Sequence, residues 1–105
     1  MKRTDIIQSL IDKVGAENYL EVGVSAGENF RDIKCKNKVG VDPEPSTPAT
    51  IHIDSDSFFK DNKRTFDVIF IDGLHHADQV YRDINNSLAV LNDKGFIVCL
   101  SLIHI

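Results

Sequence analysis

The chain has 105 residues, of which 42% are hydrophobic and 27% charged, as in an ordinary globular protein. This length predicts a single domain over residues 1–105. The net charge of −4 weighs against a nucleic-acid-binding surface, and no apolar run approaches the ~20 residues of a membrane span. We therefore expect neither nucleic acid nor a membrane as partner. Two cysteines without metal-binding spacing, and no signal-peptide pattern, predict reduced thiols and a cytoplasmic location.

The first part of the chain alternates helix and strand patterns. Hydrophobic residues at helical spacing predict a helix over residues 5–14, ended by Gly15. An apolar strand over residues 19–24 follows, then a helix over residues 26–33. Residues 38–42 predict a second strand.

A proline-rich loop separates this part from the next. Three prolines within residues 43–48 favour an extended loop. Residues 50–53 then predict a short third strand, and Asp54 begins a further helix.

The strongest strand pattern covers residues 66–71. Its unbroken apolar run is typical of a strand covered on both faces, in the middle of a parallel sheet. A helix is predicted over residues 78–91, with its apolar stripe formed by Val80, Tyr81, Ile84, Leu88 and Leu91. Residues 92–95 predict a turn, and residues 96–100 a fifth strand.

This alternation predicts the fold class. It is typical of an α/β, Rossmann-like doubly wound parallel sheet with helices on both faces, in the strand order 3-2-1-4-5. Ligands of such sheets bind at the carboxyl ends of the strands, where the strand order reverses. Glu21, Asp42 and Asp72 should converge there.

The glycine-containing turn after the first strand indicates what the ligand is. Gly23 and Gly27 allow a sharp turn and a close approach of a ligand to the backbone. Ser25 is predicted to accept a hydrogen bond from the amides that start the next helix. Asp42 follows Gly23 by 19 positions, close to the ~20-residue interval that places an acid beside a ribose. We expect a nucleoside-containing cofactor.

Four motifs in this order resemble the class I S-adenosylmethionine-dependent methyltransferases, most closely the small-molecule group with an Asp-Gly-x-His pattern after the fourth strand. The resemblance covers residues 19–99. It rests on Glu21-x-Gly23-x-x-x-Gly27, Val39-Gly40-Val41-Asp42, FDVIFIDGLHH from Phe66 and DKGFIVC from Asp93. The family usually has Gly-Gly where Lys94-Gly95 stands.

The resemblance implies S-adenosylmethionine as cofactor and a small hydroxylated or sugar-like methyl acceptor. Gly23 and Gly27 would border the methionine portion of the cofactor, with Glu21 and Ser25 nearby. Asp42 would accept hydrogen bonds from both ribose hydroxyls. Asp56 is the best match for an acid that contacts the adenine amino group, although it could equally cap a helix.

Asp72 and His75 are the catalytic residues that the resemblance implies. Asp72 would orient the acceptor or bind a divalent ion such as Mg, and His75 would act as a base near the acceptor. The alternative is that Asp72 satisfies loop amides and that His75 is an exposed residue at a helix start.

The segment after Cys99 departs from the family pattern. It lacks the acidic continuation and the sixth and seventh strands of the family, which predicts a C-terminally truncated domain. The fifth strand would then be an unpaired edge, through which the chain could form a homodimer.

The sequence leaves two other functions open. A nicotinamide-dependent oxidoreductase would also use a ribose-binding acid, but its usual glycine pattern is G-x-G-x-x-G, whereas three residues separate Gly23 from Gly27. The other is a non-catalytic cofactor-binding or interaction module, because the same fold hosts unrelated activities.

Overall fold

The computed structural model describes residues 2–73 and 77–101. Within these ranges the chain alternates four helices with four strands. In chain order they are α1 (Arg3–Val14), β1 (Asn18–Val22), α2 (Glu28–Asp32), β2 (Asn37–Val41), α3 (Ser55–Asp61), β3 (Phe66–Gly73), α4 (Ala77–Ala89) and β4 (Leu91–Ser101).

The four strands form one parallel sheet in the order β2-β1-β3-β4. The order reverses between β1 and β3, so the ends of these two strands and of β2 create the expected ligand-binding edge. The α/β, Rossmann-like doubly wound fold predicted from the sequence is confirmed, and the observed strands follow the predicted order.

The predicted third strand is wrong. Residues 50–53 contribute a single bridge, in which Ile51 pairs with Val41 at the outer side of β2. The pairing stops there because Asp54 follows almost at once as the N-cap of α3, where its side chain accepts a hydrogen bond from the Ser57 amide at 2.9 Å.

Strand β3 is buried on both faces, as its apolar run predicts. Val68 and Phe70 point into a core that also contains Ile7 and Ile11 of α1. Ile69 and its neighbour Ile71 point into a second core, closed by α3 and α4. This alternation follows from the two-residue period of a strand, and it places helices on both faces of the sheet.

Helix α1 begins two residues before its predicted start. The carboxylate of Asp5 accepts a hydrogen bond from the Lys2 backbone N–H at 3.2 Å, and this contact allows the helix to begin at Arg3. Gly15 ends the helix in the left-handed conformation, as predicted. The earlier start brings the Arg3 side chain close to Asp72, at the expected ligand-binding edge of the sheet.

The predicted apolar stripe of α4 is partly wrong. Tyr81 and Leu88 are 71% and 58% exposed, while Asp83 and Ser87 are buried. The Ser55 hydroxyl donates a hydrogen bond to Asp83 at 2.6 Å, so this polar pair fixes the rotation of α4 against α3. Burial is the largest cause of a raised pKa at Asp83.

Strand β4 is longer than predicted and contains an irregularity. Its register against β3 passes from Leu91 directly to Phe96, so the predicted turn at residues 92–95 lies inside the strand as an irregular segment, with Lys94 in the left-handed conformation. Among the described residues β4 pairs with β3 only, and the homodimer through its free edge stays a prediction. In the described part of the chain, no helix is both long enough and apolar enough to cross a membrane.

Candidate functional site

The loop at residues 23–27 joins β1 to α2 through three left-handed residues. Gly23, Ser25 and Gly27 have φ angles of 88°, 56° and 82°. The Gly23 N–H donates to the Val41 carbonyl at 2.9 Å, and a Cβ added to Gly27 would overlap the ring of Pro48. The two glycines predicted from the sequence are therefore required for the path of this loop.

Asp42 holds the loop through its carboxylate. Oδ2 accepts a hydrogen bond from the Ser25 N–H at 2.9 Å, and Oδ1 accepts one from the Glu44 N–H at 3.0 Å. A carboxylate offers about four acceptor positions, so each oxygen keeps one for a ligand hydroxyl. Asp42 is therefore both a support of the loop and a possible bidentate acceptor for a diol.

The predicted capping role of Ser25 is wrong. Helix α2 begins only at Glu28, with Gly27 as an N-cap that has no side-chain hydrogen bond. The left-handed turn at Ser25 directs its backbone N–H to Asp42 instead, and the predicted helix over residues 26–33 shortens to five residues.

Glu21 is a buried acid at the centre of a hydrogen-bond network. It is 1% exposed, and its Oε1 accepts hydrogen bonds from the Tyr19 hydroxyl and from the Asn29 amide, both at 2.6 Å. The Thr4 hydroxyl donates to Oδ1 of Asn29 at 2.7 Å and so orients the Asn29 amide group toward Glu21.

Burial sets the protonation of this network. It raises the pKa of Glu21 to about 7, against the opposing effect of the hydrogen bonds from Tyr19 and Asn29, and the charge of Asp72 adds to the rise. Burial, followed by the charge of Glu21, also raises the pKa of Tyr19, so its phenol stays protonated and remains a donor.

Asp72 lies at the end of β3 and faces the loop. A Cβ added to Gly23 would come within 3.3 Å of the Asp72 Cβ, so the glycine permits this close approach. Oδ2 of Asp72 lies 3.6 Å from a guanidinium nitrogen of Arg3, and the Asp72 side chain is only 8% exposed. The end of β3, the loop and the first turn of α1 therefore meet at one place.

Two cavities flank the loop. The first, which we call the α1-side cavity, measures about 450 Å³ and is lined by residues that include Arg3, Glu21 and Asn29. The second, the β2-side cavity, measures about 400 Å³ and is lined by residues that include Asp42 and Thr47. Ser25, Ala26 and Asp72 line both cavities. Each volume lies in the ~300–1,000 Å³ range of small-molecule sites.

Asp56 and His75 are not placed in this site by the structure. Asp56 is exposed on α3, does not line either cavity, and pairs with Arg82 of α4 at 3.3 Å. His75 lies outside the described residues. Those residues contain no group of three His, Cys, Asp or Glu side chains that could hold a metal, so the predicted metal role of Asp72 gains no support.

Sequence reasoning missed Arg3, Thr4, Tyr19 and Asn29. Asn29 stands in a polar helical segment, and nothing in the sequence indicates that it is buried, at 8% exposure. Tyr19 precedes Glu21 by two positions on one strand, so both side chains must point to the same face. That spacing is the signal that could have identified the pair.

A known family matches most of the chain, including Ser25, Asp42 and Asp72 of this site. The family model described as "Methyltransferase domain" matches residues 24–99, well over half of the chain. The chain belongs to this family of methyltransferase domains. Membership favours the first of the three predicted functions over a nicotinamide-dependent oxidoreductase.

Solved methyltransferase structures share the fold. N-methyltransferase NodS from Bradyrhizobium japonicum WM9 superimposes with a TM-score of 0.70 at 21% identity, over 92% of this chain and 65% of that one. Ribosomal protein L11 methylase from Lactobacillus delbrueckii subsp. bulgaricus superimposes with a TM-score of 0.64 at 16% identity, over 92% and 58%. This chain therefore spans about three fifths of the length of these structures. A comparison with proteins of curated function finds no match.

The family implies S-adenosylmethionine as cofactor, and the residues present fit such a molecule. A cavity on each side of the loop offers room for the nucleoside and for the amino-acid end. Asp42 has spare acceptor capacity for ribose hydroxyls, and Gly27 and Gly23 each line one of the two cavities.

Proposed function

We propose that this chain binds S-adenosylmethionine along the loop at residues 23–27 and serves methyl transfer to a small-molecule acceptor with a hydroxyl or sugar-like group. The observation that carries this proposal is the hydrogen bond from Ser25 to Asp42, because it keeps the loop and the ribose-binding acid on one edge of the sheet. Methyltransferase family membership supports the reaction class.

In this proposal Asp42 accepts the hydrogen bonds of the ribose hydroxyls. Its two backbone hydrogen bonds fix the carboxylate before a ligand arrives, so binding does not have to order this side chain. Charge-assisted hydrogen bonds from both ribose hydroxyls would then use the remaining acceptor positions. The β2-side cavity, which Asp42 lines, would receive the nucleoside.

Asp72 has the role of orienting the reacting groups. It lines both cavities, and its side chain is largely shielded from water. The cofactor supplies an electrophilic methyl group on a sulfonium, and the transfer depends on alignment with the acceptor atom. A carboxylate held at this junction can accept a hydrogen bond from an acceptor hydroxyl. We keep His75 as the proposed base and Mg as an optional ion, and neither is needed for cofactor binding.

A second proposal is that the chain binds the cofactor without turnover. It is favoured by the division of roles among the described residues: Glu21, Asp42 and the loop are assigned to the cofactor, and of the described residues only Asp72 is assigned to the acceptor. The two proposals make the same prediction for cofactor binding and differ in methyl transfer.

Calorimetric titration with S-adenosylhomocysteine and, separately, with NAD tests the proposed ligand. We expect S-adenosylhomocysteine to bind and NAD to bind more weakly or not at all. Tighter binding of NAD would contradict the proposal. Methyl-transfer assays with sugars and phenols then separate an active enzyme from a cofactor-binding module.

A further inference from the structure

The α1-side cavity is lined by side chains of both charges. Arg3 and Lys2 come from the start of α1, whereas Glu21 and Asp72 come from the ends of β1 and β3. Such a lining fits a ligand group that itself carries both a positive and a negative charge. The free α-amino acid group of an adenosyl ligand has this character.

We infer that Arg3 is the residue that binds the carboxylate of this amino-acid end and thereby selects adenosyl ligands that carry it, while Glu21 receives the ammonium. The inference rests on the proposed function, because the β2-side cavity must first hold the nucleoside. It assigns a ligand-binding role to α1, an element outside the matched region of residues 24–99.

The Arg3 guanidinium can bind a ligand carboxylate at a shorter distance than the one at which it lies from Asp72. It lies 3.6 Å from the Asp72 carboxylate, beyond the ~2.7–2.9 Å of a short charge-assisted hydrogen bond, and its side chain is 51% exposed. A guanidinium has five N–H donors in a planar fork that matches a carboxylate with two parallel hydrogen bonds. A ligand carboxylate in the cavity can therefore be bound while the attraction to Asp72 is kept.

Glu21 is held in place by two hydrogen bonds. Among the described residues, both hydrogen bonds to Glu21 end on Oε1, one from Tyr19 and one from Asn29. The second oxygen is thus available to a group in the cavity that Glu21 lines. Since Thr4 orients Asn29, the first turn of α1 supports Glu21 as well as supplying Arg3.

The test compares two ligands that differ only in the carboxylate. S-adenosylhomocysteine and its decarboxylated analogue, which keeps the amine, are titrated calorimetrically into the wild-type chain, Arg3→Gln and Arg3→Lys. Arg31→Gln is the control, because Arg31 is an exposed arginine in the last turn of α2 that lines neither cavity. Circular dichroism melting of every variant verifies that it is folded.

We expect the wild-type chain to prefer S-adenosylhomocysteine about tenfold, the worth of a partly exposed charge-assisted contact. Arg3→Gln should abolish this preference and leave binding of the decarboxylated analogue within about twofold. Arg3→Lys should keep part of the preference, because it keeps the charge without the planar fork. Arg31→Gln should bind both ligands like the wild-type chain.

Three results would overturn the inference. The first is equal binding of the two ligands by the wild-type chain, and the second is a preference that survives in Arg3→Gln. The third is an equal loss of both ligands in Arg3→Gln, which would mean a general disturbance of the site. All three leave the proposed function intact, whereas failure of the wild-type chain to bind either ligand would overturn the proposed function and this inference together.

Discussion

The backbone N–H of Ser25 donates a 2.9 Å hydrogen bond to Oδ2 of Asp42 and so joins the loop after β1 to the end of β2. The two residues lie 17 positions apart in sequence. Asp42 also accepts the Glu44 N–H, so one carboxylate orders the turns that follow two neighbouring strands. The edge of the sheet is therefore ordered before a ligand arrives, so binding does not incur the entropic cost of ordering these turns.

Removing the Asp42 carboxylate should weaken binding of the cofactor. Asp42→Ala deletes two charge-assisted acceptor positions, and we expect S-adenosylhomocysteine to lose about 2 kcal/mol of binding free energy, or roughly 30-fold in affinity. Calorimetric titration measures the loss, with Asp93→Asn on the exposed surface of β4 as control. An affinity unchanged in Asp42→Ala would place the ribose elsewhere.

Gly27→Ala should destabilise the protein more than Gly15→Ala. Both glycines have left-handed φ angles, which cost a residue with a Cβ about 1–2 kcal/mol. The added Cβ meets no atom within 4 Å at Gly15, but it overlaps Pro48 at Gly27. Urea unfolding of the two variants measures the difference. Equal losses of stability in the two variants would show that Pro48 can move away from the added Cβ without a loss of folding free energy.

Glu21 should make the protein less stable as the pH rises. The native protein holds the Glu21 proton up to a pKa of about 7, whereas the unfolded chain releases it near 4.5. More protons are therefore bound by the native state between these values, and the free energy of unfolding falls by about 3 kcal/mol across this window.

Glu21→Gln removes this titration and keeps an oxygen for Tyr19 and Asn29. Relative to wild type, the variant should gain stability from pH 5 to pH 8, which urea unfolding at several pH values measures. A constant difference between the two proteins over this range would show that Glu21 is already ionised at pH 5.

Asp67 should show the opposite dependence. Burial tends to raise its pKa, but the hydrogen bonds from Asn92 and from the Glu17 and Asn18 amides outweigh it, and the pKa is lowered. Its contribution to stability is present above its ordinary pKa of 3.8 and is lost as the pH falls through the lowered value. Asp67→Ala should therefore destabilise the protein at pH 7, and the difference should shrink toward pH 2. A difference that does not depend on pH would contradict this.

The geometry of the candidate site's loop was predictable because its signals are local. Gly23 and Gly27 are required by the backbone path, and the interval to Asp42 is set by the length of a helix and a strand. The sheet order followed from alternation and from the apolar run of β3.

Features that depend on contacts between distant residues were not predictable. Arg3 meets Asp72 only in the folded chain, and no spacing in the sequence relates them. The rotation of α4 was missed because the hydrogen bond from Ser55 to Asp83 overrides the apolar stripe. The predicted third strand failed because Asp54 begins α3 after one bridge.

Backbone amide NMR during titration with S-adenosylhomocysteine tests the central claim most directly, because it locates the ligand residue by residue. We predict that the largest shifts fall on the loop at residues 23–27 and on the amides of Asp42 and Glu44, where the ligand would change the hydrogen bonds of Asp42. Saturable binding with its shifts confined to α3 or to the outer edge of β4, or no shifts at all, would contradict the account.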